Sequence, residues 1–155
     1  MDSTELLIAS WKQVAGRLEK SLAEFSEADL QREVAPGRNR IYYLIGHLAA
    51  VNDRMLPMLF LGDRLHPEFD EAFLTNPDRA QPDAVAPAHL KQALLDVNQK
   101  LTAAFEKLPP EDWLKRHSAV SEEEFAKEPQ RNRLAVLLSR TNHMSFHLGQ
   151  IILAK

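Results

Sequence analysis

The sequence predicts an all-α protein, a four-helix bundle whose helices run up-down-down-up with a long crossover between the second and third. Three observations carry this reading. Apolar residues recur at spacings of three and four in four separate stretches, the period of a helix with one buried face. No stretch alternates apolar and polar residues between hairpin turns, so strands are not expected. Five of the nine prolines (Pro57, Pro67, Pro77, Pro82 and Pro87) fall between the second and third stripes, and the connection they occupy, roughly 25 residues, far exceeds the usual bundle turn.

The first stripe, Leu7, Trp11, Val14, Leu18, Leu22 and Phe25, marks a helix over about residues 4–26 that Ser3 or Asp2 can cap. Pro36-Gly37 breaks the chain before the second, whose stripe is Ile41, Leu44, Ile45, Leu48, Val51, Met55 and Leu59; Pro57 is expected to bend or end it. Leu90, Leu94, Val97, Leu101, Phe105 and Leu108 give a third helix, starting behind Pro87 and stopping at Pro109-Pro110. The fourth runs over about residues 131–154, behind Pro129. The long connection lets the second and third helices run the same way, and it can cover one end of the bundle as a lid. Glu122-Glu123-Glu124 reads as a solvated acidic turn.

Composition narrows the function. A chain of 155 residues accommodates one domain around one core. Nineteen Lys and Arg against 22 Asp and Glu give a formal charge of -3, without the basic excess that binding a phosphate backbone requires, so nucleic acid is not an expected partner. The absence of cysteine removes protein thiol nucleophiles, thiolate metal sites and disulfides. Neither an export signal at Met1-Asp2-Ser3 nor an 18-residue apolar run is found, so a cytoplasmic location and no membrane span are expected.

The fourth helix reads Asn142-His143-Met144-Ser145-Phe146-His147-Leu148-Gly149-Gln150. His143 and His147 are one turn apart, so both imidazoles leave one face and can share a metal ion; two hydrogen-bonded structural histidines fit the same spacing. His47 lies midway along the second helix with Tyr43, Leu44, Ala50 and Val51 as same-face neighbours. It puts an ionisable ring on a surface that otherwise reads as buried, where a satisfied core histidine is also at home. His66, His89 and His117 sit near prolines, in loops or at polar helix starts, settings in which exposed histidines are ordinary.

The closing His-Met-Ser-Phe-His-Leu-Gly-Gln, an HxxxHxGQ pattern, together with a single histidine in the middle of the second helix, resembles the DinB-like (YfiT-type) superfamily of four-helix-bundle metalloproteins. The resemblance spans nearly the whole chain, through helix number, the long second connection, the lone histidine and the closing motif. It implies a divalent metal held by His47, His143 and His147, a homodimer, and use of a low-molecular-weight thiol in transfer or isomerisation. The chemistry is compatible. Three neutral imidazoles leave coordination positions open, and a thiol or water on a dication loses its proton near neutral pH. Without a protein cysteine the thiol must come from a cosubstrate, and imidazoles suit zinc, nickel or iron alike.

Supporting roles follow from placement. Gln150, one turn beyond His147, can orient a ligand or face solvent, and Gly149 can admit another helix or a substrate. If the second and fourth helices are antiparallel, Arg54 and Arg140 share one axial side of the site and could grip a carboxylate, while Tyr43 lies at the other side as a proton-donor candidate. Asp53 is the nearest acid to His47, but it is about 120° away around the helix and badly placed as a general base. Leu134, Leu137, Leu138, Thr141, Ser145, Leu148 and Ile152 form a face nearly opposite His143, His147 and Val136. A helix of that kind is expected to be covered by the bundle on one side and a second subunit on the other. Arg131 and Arg133 stand in its first turn against the dipole and are expected to pair with carboxylates elsewhere. The leading function is a metal-dependent transferase activating a small thiol; metal-assisted hydrolysis and a non-catalytic dimeric metal- or ligand-binding stress protein are the alternatives.

Overall fold

Four long helices, α1 (Ser3–Ala23), α2 (Ile41–Asp53), α3 (Pro87–Lys107) and α4 (Arg133–Leu153), organise a computed structural model that describes residues 1–155. Asp2 caps α1 in a reciprocal box: its carboxylate accepts from the Glu5 backbone N–H while Glu5 accepts from that of Asp2. Pro87 opens α3 at a position where its missing N–H costs nothing, and Asn132 caps α4 by accepting from Ala135 N–H. The second stripe continues through Leu59, but the break expected from Pro57 is there: α2 stops at Asp53. A proline ring collides with the carbonyl four residues back, which for Pro57 is that of Asp53. After the break the chain re-forms one turn, Met55–Met58.

Pairwise contacts give the direction of each helix. Trp11 donates to Thr102 (3.0 Å) and Lys12 pairs with Glu106 (2.6 Å), so the start of α1 meets the end of α3 and the two are antiparallel. Lys155 pairs with Glu24 and Arg32 donates to the Ala154 carbonyl, bringing the ends of α1 and α4 together in parallel. Tyr42 donates to the Val85 carbonyl (2.8 Å) and Asn52 to Asn98 (2.9 Å), which makes α2 and α3 parallel. The order is up-down-down-up. Trp11, Phe105 and Trp113 pack edge to face at one end of the core, and Leu44, Leu48, Leu94 and Leu137 fill its middle. No helix is long and apolar enough to cross a membrane.

The crossover does not cap an end of the bundle; it runs back along α2. Asp53, fully buried, accepts from the backbone N–H groups of Leu65 (2.8 Å) and His66 (2.9 Å) and from Arg64 (3.0 Å). Asp70 binds both Arg54 (2.7 Å) and Arg64 (2.6 Å). Further along, Tyr43 donates to the Asn76 carbonyl (2.7 Å), and Arg40 at the head of α2 binds Asp78 (2.7 Å) and Asp83 (2.8 Å). Asp78 and Arg40 are both nearly inaccessible, so this pair is matched charge for charge inside the protein. Between these anchors the chain makes a short turn, Pro67–Phe69, and then a single π-type turn, Glu71–Thr75.

Candidate metal centre

The antiparallel approach of α2 and α4 brings His47, His143 and His147 together, all half-buried, with one ring nitrogen of each within 4.8 Å of the others. His143 Nε2 lies 3.2 Å from His47 Nε2 and 3.1 Å from His147 Nε2. The opposite edges of two rings are committed. His47 Nδ1–H donates to the Phe73 carbonyl (2.9 Å), and His147 Nδ1–H donates to Gln150 Oε1 (2.7 Å). Since both protons sit on Nδ1, both Nε2 atoms present lone pairs to the centre. His143 can donate a single Nε2–H to only one of them, and its own Nδ1 is buried without a partner. Three converging lone pairs are satisfied together by a cation. An ion with bonds of about 2.0–2.1 Å and angles between octahedral and tetrahedral would hold its donors about 2.9–3.4 Å apart, which brackets the two spacings to His143, while the third pair, His47 and His147, lies within 4.8 Å.

Electrostatics favour the same state. Burial, then the neighbouring His147, His47 and Arg140, push His143 down to about 4. Burial lowers His147 as well, against a smaller opposing effect of the Gln150 hydrogen bond. At neutral pH these two imidazoles are therefore uncharged, as ligands must be.

A glycine that sequence reasoning passed over sets this geometry. A Cβ on Gly46 would stand 2.3 Å from Cδ1 of Phe73, so only glycine lets the Phe73 ring lie flat on α2. With the ring there, the Phe73 carbonyl meets the imidazole of the next residue, His47. A glycine inside an apolar helical stripe is the signal that points to such a close approach. Gly149, by contrast, has no neighbour within 4 Å and admits nothing from its own chain.

The other predicted residues divide. Gln150 orients His147. Tyr43 stacks on His47 (ring centroids 6.1 Å apart), but its proton is committed to the Asn76 carbonyl, and burial, with the charge of Asp78, raises its pKa; it is not a free proton donor. Arg54 is neutralised by Asp70 and does not join Arg140 as a second free cation. Asp53 has its carboxylate filled by three donors and cannot serve as a general base. On α4, Leu137, Thr141 and Leu148 are covered by the chain's own bundle, so the open face is narrower than the wheel predicts: Leu138, Ser145, Phe146, Gly149, Ile152 and Leu153. Arg131 reaches Glu128 at 3.8 Å, whereas Arg133 finds no carboxylate and lies over the Phe60 ring instead. His66, which hydrogen-bonds Glu68, and His117 are both half-buried rather than exposed.

A helical bundle with three imidazoles converging between two antiparallel helices defines a protein whose residues fit a divalent metal site. The chain belongs to the DinB superfamily, whose sequence model matches residues 10–151. Its fold is similar to the crystal structure of a conserved protein from Enterococcus faecalis, with a TM-score of 0.66 at 19% identity over 99% of this chain and 95% of that one. No curated protein matches the chain.

Proposed function

We propose that the protein is a metal-dependent transferase that binds one divalent ion through His47, His143 and His147 and activates a low-molecular-weight thiol there. The observation that carries the reading is the convergence of three Nε2 atoms while Nδ1 of His47 and of His147 is tied to an oxygen. A divalent ion in such a site supplies a Lewis acid with open positions, which lowers the pKa of a thiol or water bound to it. The choice of thiol over water comes from the family resemblance, and the lack of cysteine assigns the thiol to a cosubstrate. The chain's own residues do the positioning: Phe73 and Gln150 fix two rings, and Tyr43 shields one face of His47. The working unit is a homodimer in the cytoplasm. The uncovered α4 strip supports the dimer, with Phe146 64% and Leu138 46% exposed.

Metal analysis of tag-free protein tests the centre. About one ion per chain is expected, lost in His47→Ala, His143→Ala and His147→Ala and kept in His66→Ala. Full occupancy in the three variants would refute the site. Bacillithiol, mycothiol, glutathione and cysteine are then offered an epoxide and an alkyl halide, with metal-free protein as control. Ester or amide hydrolysis without thiol transfer would install the hydrolase reading, and neither reaction at full metal occupancy would install the binding-protein reading.

A further inference from the structure

One cation beside the histidine group has nothing to neutralise it. Arg140 lies one turn before His143 on α4, half-buried, and its Nε is sealed from solvent with no acceptor. No Asp or Glu follows Glu128 in the sequence, so α4 offers it no carboxylate, and Arg54 repels it while being itself held by Asp70. Sealing that N–H from water without an acceptor is unfavourable, and its surroundings leave the deficit standing.

The same side chain lines a cleft of about 300 Å³ that it shares with Ser139, Val136, Arg131, His117 and Met58. His117 repeats the pattern, because its Nδ1 is buried without a partner. Burial, then Arg131 and Arg140, hold His117 below its ordinary pKa, so it faces the cleft as a neutral hydrogen-bonding group. Arg131 is partly satisfied by Glu128 at 3.8 Å. The cleft therefore carries about one uncompensated positive charge on a planar fork, beside a neutral imidazole and two apolar walls, Met58 and Val136. That set matches a monoanionic carboxylate on a hydrocarbon body. A guanidinium pairs with a carboxylate through two parallel N–H bonds, whereas a phosphate dianion calls for a second free cation.

We propose that this cleft takes the carboxylate of a small organic acid, with Arg140 forming the paired hydrogen bonds, and that this acid is the substrate presented to the histidine centre. Arg140 and His143 are three residues apart on one helix face, so the cleft neighbours the histidine centre, although none of the three imidazoles lines it. The substrate role rests on the reading of that centre as catalytic; the carboxylate pairing does not.

The test uses the full chain, with and without added zinc, titrated with benzoate, benzamide and inorganic phosphate while the Arg140 Nε–H resonance is followed by NMR. Benzoate is expected to shift that resonance in both forms and to bind about tenfold or more tightly than benzamide, and more tightly than phosphate. Arg140→Gln should weaken benzoate at least about tenfold with zinc content kept and Tm not lowered; Arg140→Lys, which keeps the charge and loses the fork, should weaken it measurably. Equal affinity for benzoate and benzamide, preference for phosphate, an Arg140→Gln variant that binds as the wild type, or no binding would each overturn the proposal. Benzoate binding that needs Arg140 in protein without zinc affinity would sink the metal reading alone, and zinc binding without benzoate binding would sink this one alone.

Discussion

Replacing Gly46 by alanine probes the packing that aims His47. The new methyl would meet Cδ1, Cε1 and Cγ of Phe73 at 2.3, 2.4 and 2.6 Å, where unstrained carbons stand about 3.5–4.0 Å apart. The Phe73 ring has nowhere to go. It is 2% exposed and walled by Tyr42, Tyr43 and Phe69 at centroid distances of 5.9, 6.0 and 5.6 Å. Overpacking of this kind costs about 1–3 kcal/mol, and the better helix propensity of alanine returns up to about 1 kcal/mol. A net loss of about 1–2 kcal/mol lowers Tm by about 2–8 °C in a chain of this size. Movement of Phe73 also pulls its carbonyl from His47 Nδ1, which should weaken zinc binding about tenfold. Thermal unfolding by circular dichroism and a zinc competition titration read the two effects separately. Gly16→Ala is the control: it is exposed on α1 with nothing within 4 Å, and should gain about 0.5–1 kcal/mol. If Gly46→Ala behaves like Gly16→Ala, with a raised Tm and unaltered zinc affinity, the packing argument is wrong.

Four further outcomes are expected. Gln150→Ala should weaken zinc binding about tenfold by releasing His147 Nδ1–H, while Gln150→Glu keeps an acceptor and the affinity; the same competition titration decides. Arg40→Ala leaves Asp78 buried without its cation and should cost about 3–5 kcal/mol in urea denaturation at pH 7. Arg40 holds the Asp83 carboxyl, and Arg64 that of Asp70, below the ordinary value of about 3.9, so their stabilisation is complete above that pH and lost as pH falls toward the lower folded-state values, giving an acid unfolding limb that denaturation at pH 2–5 should trace. Phe146→Asp should convert a dimer of twice 17.6 kDa into a monomer in sedimentation, with zinc content intact; a wild type already monomeric at micromolar concentration would remove the dimer.

Helical periodicity made the four helices legible, and the length of the proline-bearing connection made their up-down-down-up order legible. The end of α2 was harder, because Val51, Met55 and Leu59 keep the stripe going while Pro57 disrupts the helix one turn earlier, at Asp53. Two of the three histidines share a helical face and could be paired by spacing; His47 joined them through the family pattern, since a lone ring on an apolar face carries no direction of its own. Gln150 lies within one turn of its partner and was visible for that reason. Phe73 was not, because it orients His47 with a backbone carbonyl, a group every residue possesses. Arg54 and Arg140 looked equivalent along the chain, and only the placement of Asp70, held by the folded crossover, tells the neutralised arginine from the free one.

The attachment of the crossover to α2 bears on how this protein opens. Its anchors fall at Arg40, Tyr42, Tyr43, His47, Asp53 and Arg54, which is one side of a single helix from end to end. A free loop between Leu59 and Ala86 would sample many closures, but this one is divided into short tethered spans, each with little entropy left to recover by coming loose alone. Strap and helix should therefore open as one unit, with shared hydrogen-exchange protection rather than a gradient along the strap. Because His47 is itself one of the tethers, an ion bound at the imidazoles would raise the free energy of opening the whole strap. Exchange at backbone amides near Arg40, far along α2 from the histidines, then becomes a remote gauge of whether the centre is filled.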